Sequence, residues 1–174
     1  MINERIENIT ENILQELNIK SPKGIKLEKI AKHLGVDIKG EDMDFDVSGL
    51  FVMKNDKSYI RYNNSESEQR QRFTIAHELG HFVLHKDDKP LFVDKMEQVL
   101  YRNFDSSTGE IKKEREANAF AASLLMPKFL LNQVISKTPL ETENVVSYLA
   151  NEFKVSEQAM SFRLSNLGYL TNNF

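Results

Sequence analysis

Between residues 48 and 85 the spacing of apolar side chains changes once, and that change constrains the fold more than any other feature of the chain. Residues 48–54 and 58–62 carry β-branched and aromatic side chains in alternation, as strands with one buried face do, and Asn55-Asp56-Lys57 between them reads as a turn. From about 66 to 85 the repeat lengthens to the three-to-four spacing of a helix, which Ser65 and Glu68 would open as a capping box. A hairpin leading into a helix, with further helical patterns on both sides, predicts an α+β chain: helices packed on a small twisted β-sheet.

The flanking patterns fill in the rest. Ile2, Ile6, Ile9, Ile13 and Leu17 predict a helix over 2–18, stopped before Ser21-Pro22. Leu27, Ile30, Ala31 and Leu34 form the face of a second helix closed by Gly35, and Val36 and Ile38 begin a strand. Residues 86–109 are polar and contain Pro90 and Gly109, so a long connection with one short helical piece at 95–101 is expected. Helix returns over 110–126 and ends before Pro127; after Thr138-Pro139 two more helices are expected at 141–153 and 156–166. A length of 174 residues without internal repeats suits one domain over 1–174, with a catalytic part at about 20–137 and a C-terminal helical pair at about 141–168 packed on it.

Composition narrows the chemistry. The chain has no cysteine, which removes disulfides, thiol nucleophiles and thiolate zinc fingers, so any metal must sit on His, Asp or Glu. Its 23 basic and 26 acidic side chains give a net charge of −3, no footprint for gripping a phosphate backbone. The first residues lack the order of a secretory signal and no apolar run approaches the roughly 18 residues that span a bilayer, so a cytoplasmic protein without a membrane partner is expected.

Within the helix at 66–85, residues 77–81 read His-Glu-Leu-Gly-His. Histidines four apart stand one turn above each other, so both imidazoles can reach one ion, and Glu78 beside them can serve a metal-bound water as general base. Zinc suits this set: neutral nitrogen donors and one position left open. The alternative, two surface histidines flanking a glutamate by chance, is opposed by the apolar Phe73, Ala76, Leu79, Phe82, Val83 and Leu84 of the same helix, which predict burial.

A third ligand must come from elsewhere. His85 continues the stripe but stands about 12 Å along the helix from His77, too far to share its ion. Asp87 follows His81 by six residues, yet the position where the chain would have to swing off the helix is Leu84 rather than glycine. Glu114 and Glu116 on the next long helix point in different directions. Glu114 is preferred, because Asn118 one turn later shares its face and can support a ligand histidine, whereas Ala119 and Phe120 follow Glu116.

The run Arg72-Phe-Thr-Ile-Ala-His-Glu-Leu-Gly-His-Phe-Val-Leu-His85, followed by Glu114-Arg-Glu-Ala-Asn-Ala-Phe-Ala-Ala-Ser-Leu-Leu-Met-Pro127, closely resembles the ImmA/IrrE family of bacterial metallopeptidases. Ile30-Ala-Lys-His-Leu-Gly-Val36, Ser48-Gly-Leu50 and the C-terminal helices extend the resemblance over most of 25–170. It implies a small zincin-like metallopeptidase domain in which His77, His81 and Glu114 bind Zn2+ and Glu78 is catalytic. It also implies a protein substrate, a transcriptional repressor of helix-turn-helix type. Tyr62, Tyr101, His33 and His85 are the candidates for stabilising the oxyanion, with no ground for choosing among them. Strand 59–63 reads either as an exposed edge that would accept an extended substrate by strand addition or as an ordinary core strand.

Two other functions compete. Residues 149–164 have the look of a helix-turn-helix, which keeps a DNA-binding regulator in play, although 141–174 carry only Lys154 and Arg163 against Glu141, Glu143, Glu152 and Glu157. A metal-binding sensor that never cleaves is the other.

Overall fold

The computed structural model describes residues 3–87, 91–95, 108–137 and 144–170. In chain order its elements are α1 (Glu4–Glu16), a 3-10 turn (Pro22–Gly24), α2 (Leu27–His33), β1 (Val36–Glu41), β2 (Val47–Lys54), β3 (Lys57–Asn63), α3 (Glu68–His85), β4 (Leu91–Lys95), α4 (Thr108–Leu125), α5 (Lys128–Ile135), α6 (Val145–Phe153) and α7 (Glu157–Asn166). The class is α+β, consistent with a small zincin-like domain, and the chain falls into two compact units, Leu27–Ala121 and Met1–Lys26 with Ala122–Phe174. The boundary between them lies inside α4.

The unit Leu27–Ala121 is built on a four-stranded sheet in the order β1-β3-β2-β4. The expected hairpin is β2–β3, closed by Asn55 and Asp56 at φ 52° and 59°. Two successive left-handed residues match the twist of the strands, and Asn and Asp tolerate that conformation better than most residues. Phe51 and Ile60 oppose each other across this pair and both are fully buried, so they set the register of the inner face. Of the two readings of 59–63 the structure shows the core strand and not the edge: β1 pairs with β3 in parallel on one side and β2 antiparallel on the other. Among the described residues the outer strands are β1 and β4.

β4 pairs antiparallel with β2, in a stretch expected to be loop. Leu91-Phe-Val is β-prone but short, and a five-residue strand exists only because β2 offers it a partner. The helical piece expected at 95–101 lies outside the described residues except for Lys95, which closes β4.

In the second unit, Asn3 caps α1 by accepting from the Ile6 N–H, and Ile6, Thr10, Ile13 and Leu14 form its buried face. The Thr10 and Ser123 hydroxyls are 2.6 Å apart in the interior. Helix α5 has no counterpart among the predicted elements: Pro127, read only as a stop, also starts it, with its fixed φ of −65° and its carbonyl accepting from Leu131. The two C-terminal helices meet at Lys154, whose left-handed φ of 54° ends α6, and Ser156 caps α7 by accepting from Ala159. Arg163 of α7 points inward. It donates to both carboxylate oxygens of Glu7, at 2.6 and 2.8 Å, and through Nε to the Met126 carbonyl at 3.0 Å.

Candidate metal centre

Helix α3 begins at Glu68, capped by Ser67, whose hydroxyl accepts from the Arg70 N–H. Ser65 does not cap it, because its own N–H is held by the Asn63 side chain and Glu66 is taken up by the Ser48 hydroxyl at 2.8 Å. The later start still buries Thr74 to His81 without interruption. Glycine makes room on both sides of this segment. A β-carbon at Gly49 of β2 would meet the Thr74 methyl at 2.4 Å and Glu78 Cγ at 3.6 Å, so the strand lies directly against the face that carries Glu78. A β-carbon at Gly80 would meet the Ala117 backbone at 3.1 Å, so α3 and α4 touch main chain to main chain.

That close crossing brings the side chains of the two helices together. The His77 and His81 Nε2 atoms are 3.1 Å apart. The two oxygens of Glu114 lie 3.3 Å from them, Oε2 from His77 and Oε1 from His81. These three residues form the only group among the described residues whose ligand atoms are placed to hold a metal ion. Tetrahedral zinc, with bonds of roughly 2.0 to 2.1 Å, separates neighbouring ligand atoms by about 3.3 to 3.4 Å, so the triangle already has the dimensions of the ion. The donor set is right as well. Asn118 Oδ1 lies 3.0 Å from His77 Nδ1; as acceptor it holds a proton on Nδ1, so that Nε2 is the nitrogen presented to the cluster.

Electrostatics maintain the ligating forms. Burial pushes the Glu114 carboxyl up, but hydrogen bonds from His77 and His81 and the positive field of those rings outweigh it and hold the group well below the usual carboxylate range. His81 is shifted down, first by burial and then by His77 and His85, with Glu114 opposing. Glu78 is fully buried.

The remaining candidates are placed elsewhere. Glu116 faces His85, with 3.6 Å between Oε2 and Nε2, and takes no part in the trio. Asp87 is exposed past the end of α3, and His33 is exposed on α2. Tyr62 lies over Gly40, where a β-carbon would meet its ring at 3.0 Å. Tyr101 lies outside the described residues. Sequence reasoning missed Gly49 and Gly80 as the residues that let three elements converge; a glycine inside an otherwise apolar helix is the available signal for the second. In the helix-turn-helix-like pair, one of the two cations counted there, Arg163, is buried and bound to Glu7.

Comparison with known proteins adds to this geometry. The model of the IrrE N-terminal-like domain matches residues 31–165. Metallopeptidase ImmA of Bacillus subtilis is 27% identical over 173 residues, covering 90% of this chain and 93% of that protein. Radiation response metalloprotease IrrE of Deinococcus radiodurans is 28% identical over 131 residues, covering 75% of this chain and 37% of the relative. Among solved structures, a Mycobacterium tuberculosis transcriptional regulator superposes with a TM-score of 0.65 over 94% of this chain and 47% of its own, at 16% identity, a likeness of fold.

Proposed function

Because the chain belongs to the IrrE N-terminal-like family of metallopeptidases, we propose that it is a zinc-dependent endopeptidase acting on a regulatory protein, a transcriptional repressor of helix-turn-helix type. The observation that carries this reading is the triangle of His77 Nε2, His81 Nε2 and the Glu114 carboxylate, with sides near 3.3 Å and three protein ligands, the number used by catalytic rather than structural zinc. When bound, zinc supplies the acidity that makes water a nucleophile near neutral pH and polarises the scissile carbonyl.

The protein's own groups do the rest. Glu78, next in sequence to a ligand and buried, takes a proton from the attacking water and returns it to the amine nitrogen as the peptide bond breaks. Asn118 fixes the tautomer of His77. The Glu114 carboxylate and the His81 imidazole are held in the forms that bind a cation, since both titrate below their ordinary values.

A DNA-reading role for the C-terminal helices is disfavoured, because Arg163 is committed to Glu7 and unavailable to phosphate. No helix among the described residues is long and apolar enough to cross a membrane.

The decisive variant is Glu78→Gln. It keeps one zinc per chain and loses at least about 100-fold in cleavage of a purified helix-turn-helix repressor that the parent chain cuts, the scale expected for removing a general base. An unchanged cleavage rate sinks the mechanism. Zinc binding without cleavage by the parent chain favours the sensor.

A further inference from the structure

Helices α3 and α4 come into main-chain contact where Gly80 meets Ala117, with a polar pair on each side of that point. On one side His77 meets Asn118 at 3.0 Å; on the other, His85 meets Glu116 at 3.6 Å. Gly80 lies between His77 and His85 along α3, and Ala117 lies between Glu116 and Asn118 along α4. A close contact between small residues can act as a pivot about which one helix swings on the other. Two polar pairs on opposite sides of it remove that freedom.

The freedom matters because of Glu114. Its side chain is 43% exposed, while those of His77 and His81 are 4% and 2% exposed, so packing around the carboxylate does not position it and the placing of α4 must. Glu114 is three residues from the pivot, about 4.5 Å along the axis. A swing of about 10° displaces it by about 0.8 Å, several times the roughly 0.2 Å tolerance of a metal–ligand bond. His85 is buried and Glu116 is partly so, which limits the access of water to their contact.

We propose that His85 and Glu116 are a positioning pair: neither binds the metal, and together they fix the angle of α4 on α3 so that Glu114 stands opposite His77 and His81. The inference rests on the reading of that trio as the metal site.

The test is zinc affinity of the 174-residue chain, measured by competition with a chromophoric chelator, together with the visible spectrum of the cobalt-loaded protein. Glu116→Ala and His85→Ala should each weaken zinc 10- to 100-fold, the range for partners that orient ligands, with far-ultraviolet circular dichroism unchanged and the cobalt bands shifted. The double variant should be no weaker than the weaker single one, and Glu116→Gln, which still offers His85 an acceptor, should return to within about threefold of the parent. Lys112→Ala on the exposed side of α4 is the control with parental affinity. Parental affinity in Glu116→Ala overturns the proposal, as do additive losses in the double variant or a Gln variant no better than Ala. Glu114→Ala separates the two failures: if it too binds zinc like the parent, the metal-site reading is what has failed.

Discussion

At Glu114 burial and hydrogen bonding act in opposite directions, and hydrogen bonding wins. At His81 burial wins, and the ring loses its proton more readily than a free imidazole. Both groups have folded values below their unfolded ones, so both favour the folded state at neutral pH and cease to do so on acidification. For His81 the contribution is complete above about 6.5 and is lost as pH falls through the lowered folded value; for Glu114 the loss begins below about 4.5. The metal-free protein is therefore expected to lose stability in two stages as it is acidified, the first of which is read as urea midpoints from pH 8 to 5 and the second only in more acid solution. A midpoint constant between pH 7 and 5 contradicts the assignment for His81. In His81→Gln the first stage should shrink. The meeting of the two imidazoles was legible in the sequence, because a four-residue spacing within one helix fixes relative position by geometry alone. The partnership of His85 with Glu116 was not, since it depends on where two helices cross, and a glycine and an alanine decide that through backbone contact.

Single elements were legible in proportion to how much of their stability is local. α1, α3 and α4 carry long periodic faces, and the β2–β3 hairpin has its two turn residues in the conformation the turn demands. β4 and the parallel pairing of β1 with β3 depend on partners distant in sequence and left little trace in local composition. At the same scale, Arg163 determines how α7 is fastened. Its guanidinium is buried, paired at both forks with Glu7 of α1, and it also satisfies the Met126 carbonyl at the end of α4. Truncation leaves a largely buried carboxylate and a main-chain acceptor without their donor. Arg163→Ala should accordingly cost about 3 to 5 kcal/mol in urea unfolding, the range for breaking a buried pair from one side. Glu7→Gln retains one acceptor and should cost less. A loss under about 1 kcal/mol for Arg163→Ala marks the pair as a surface-type bridge.

For the whole molecule, the proposed ligands His77, His81 and Glu114 lie within Leu27–Ala121, drawn from α3 and from the part of α4 before the boundary. Metal binding therefore ties together segments that the unfolded chain leaves far apart, and it should stabilise the protein as any ligand of the native state does. With free zinc about 1,000-fold above its Kd the gain is about 4 kcal/mol, or about 8 to 16 °C in melting temperature for a chain of this size. Amide exchange should slow most in 68–85 and 108–121 and least in 145–166. A uniform change along the chain, or none on chelation, argues against the site.

The Arg163–Glu7 clamp bears on where this protein can be cut for laboratory use. The family match begins at residue 31, which suggests a convenient start for a shortened version. Such a fragment keeps the guanidinium and discards its carboxylate, along with the Thr10 hydroxyl that meets Ser123. It would carry a buried cation with no counter-ion, and its poor expression would be mistaken for a property of the catalytic centre. The first helix packs in the same unit as the C-terminal helices although it lies outside the stretch that the family model matches.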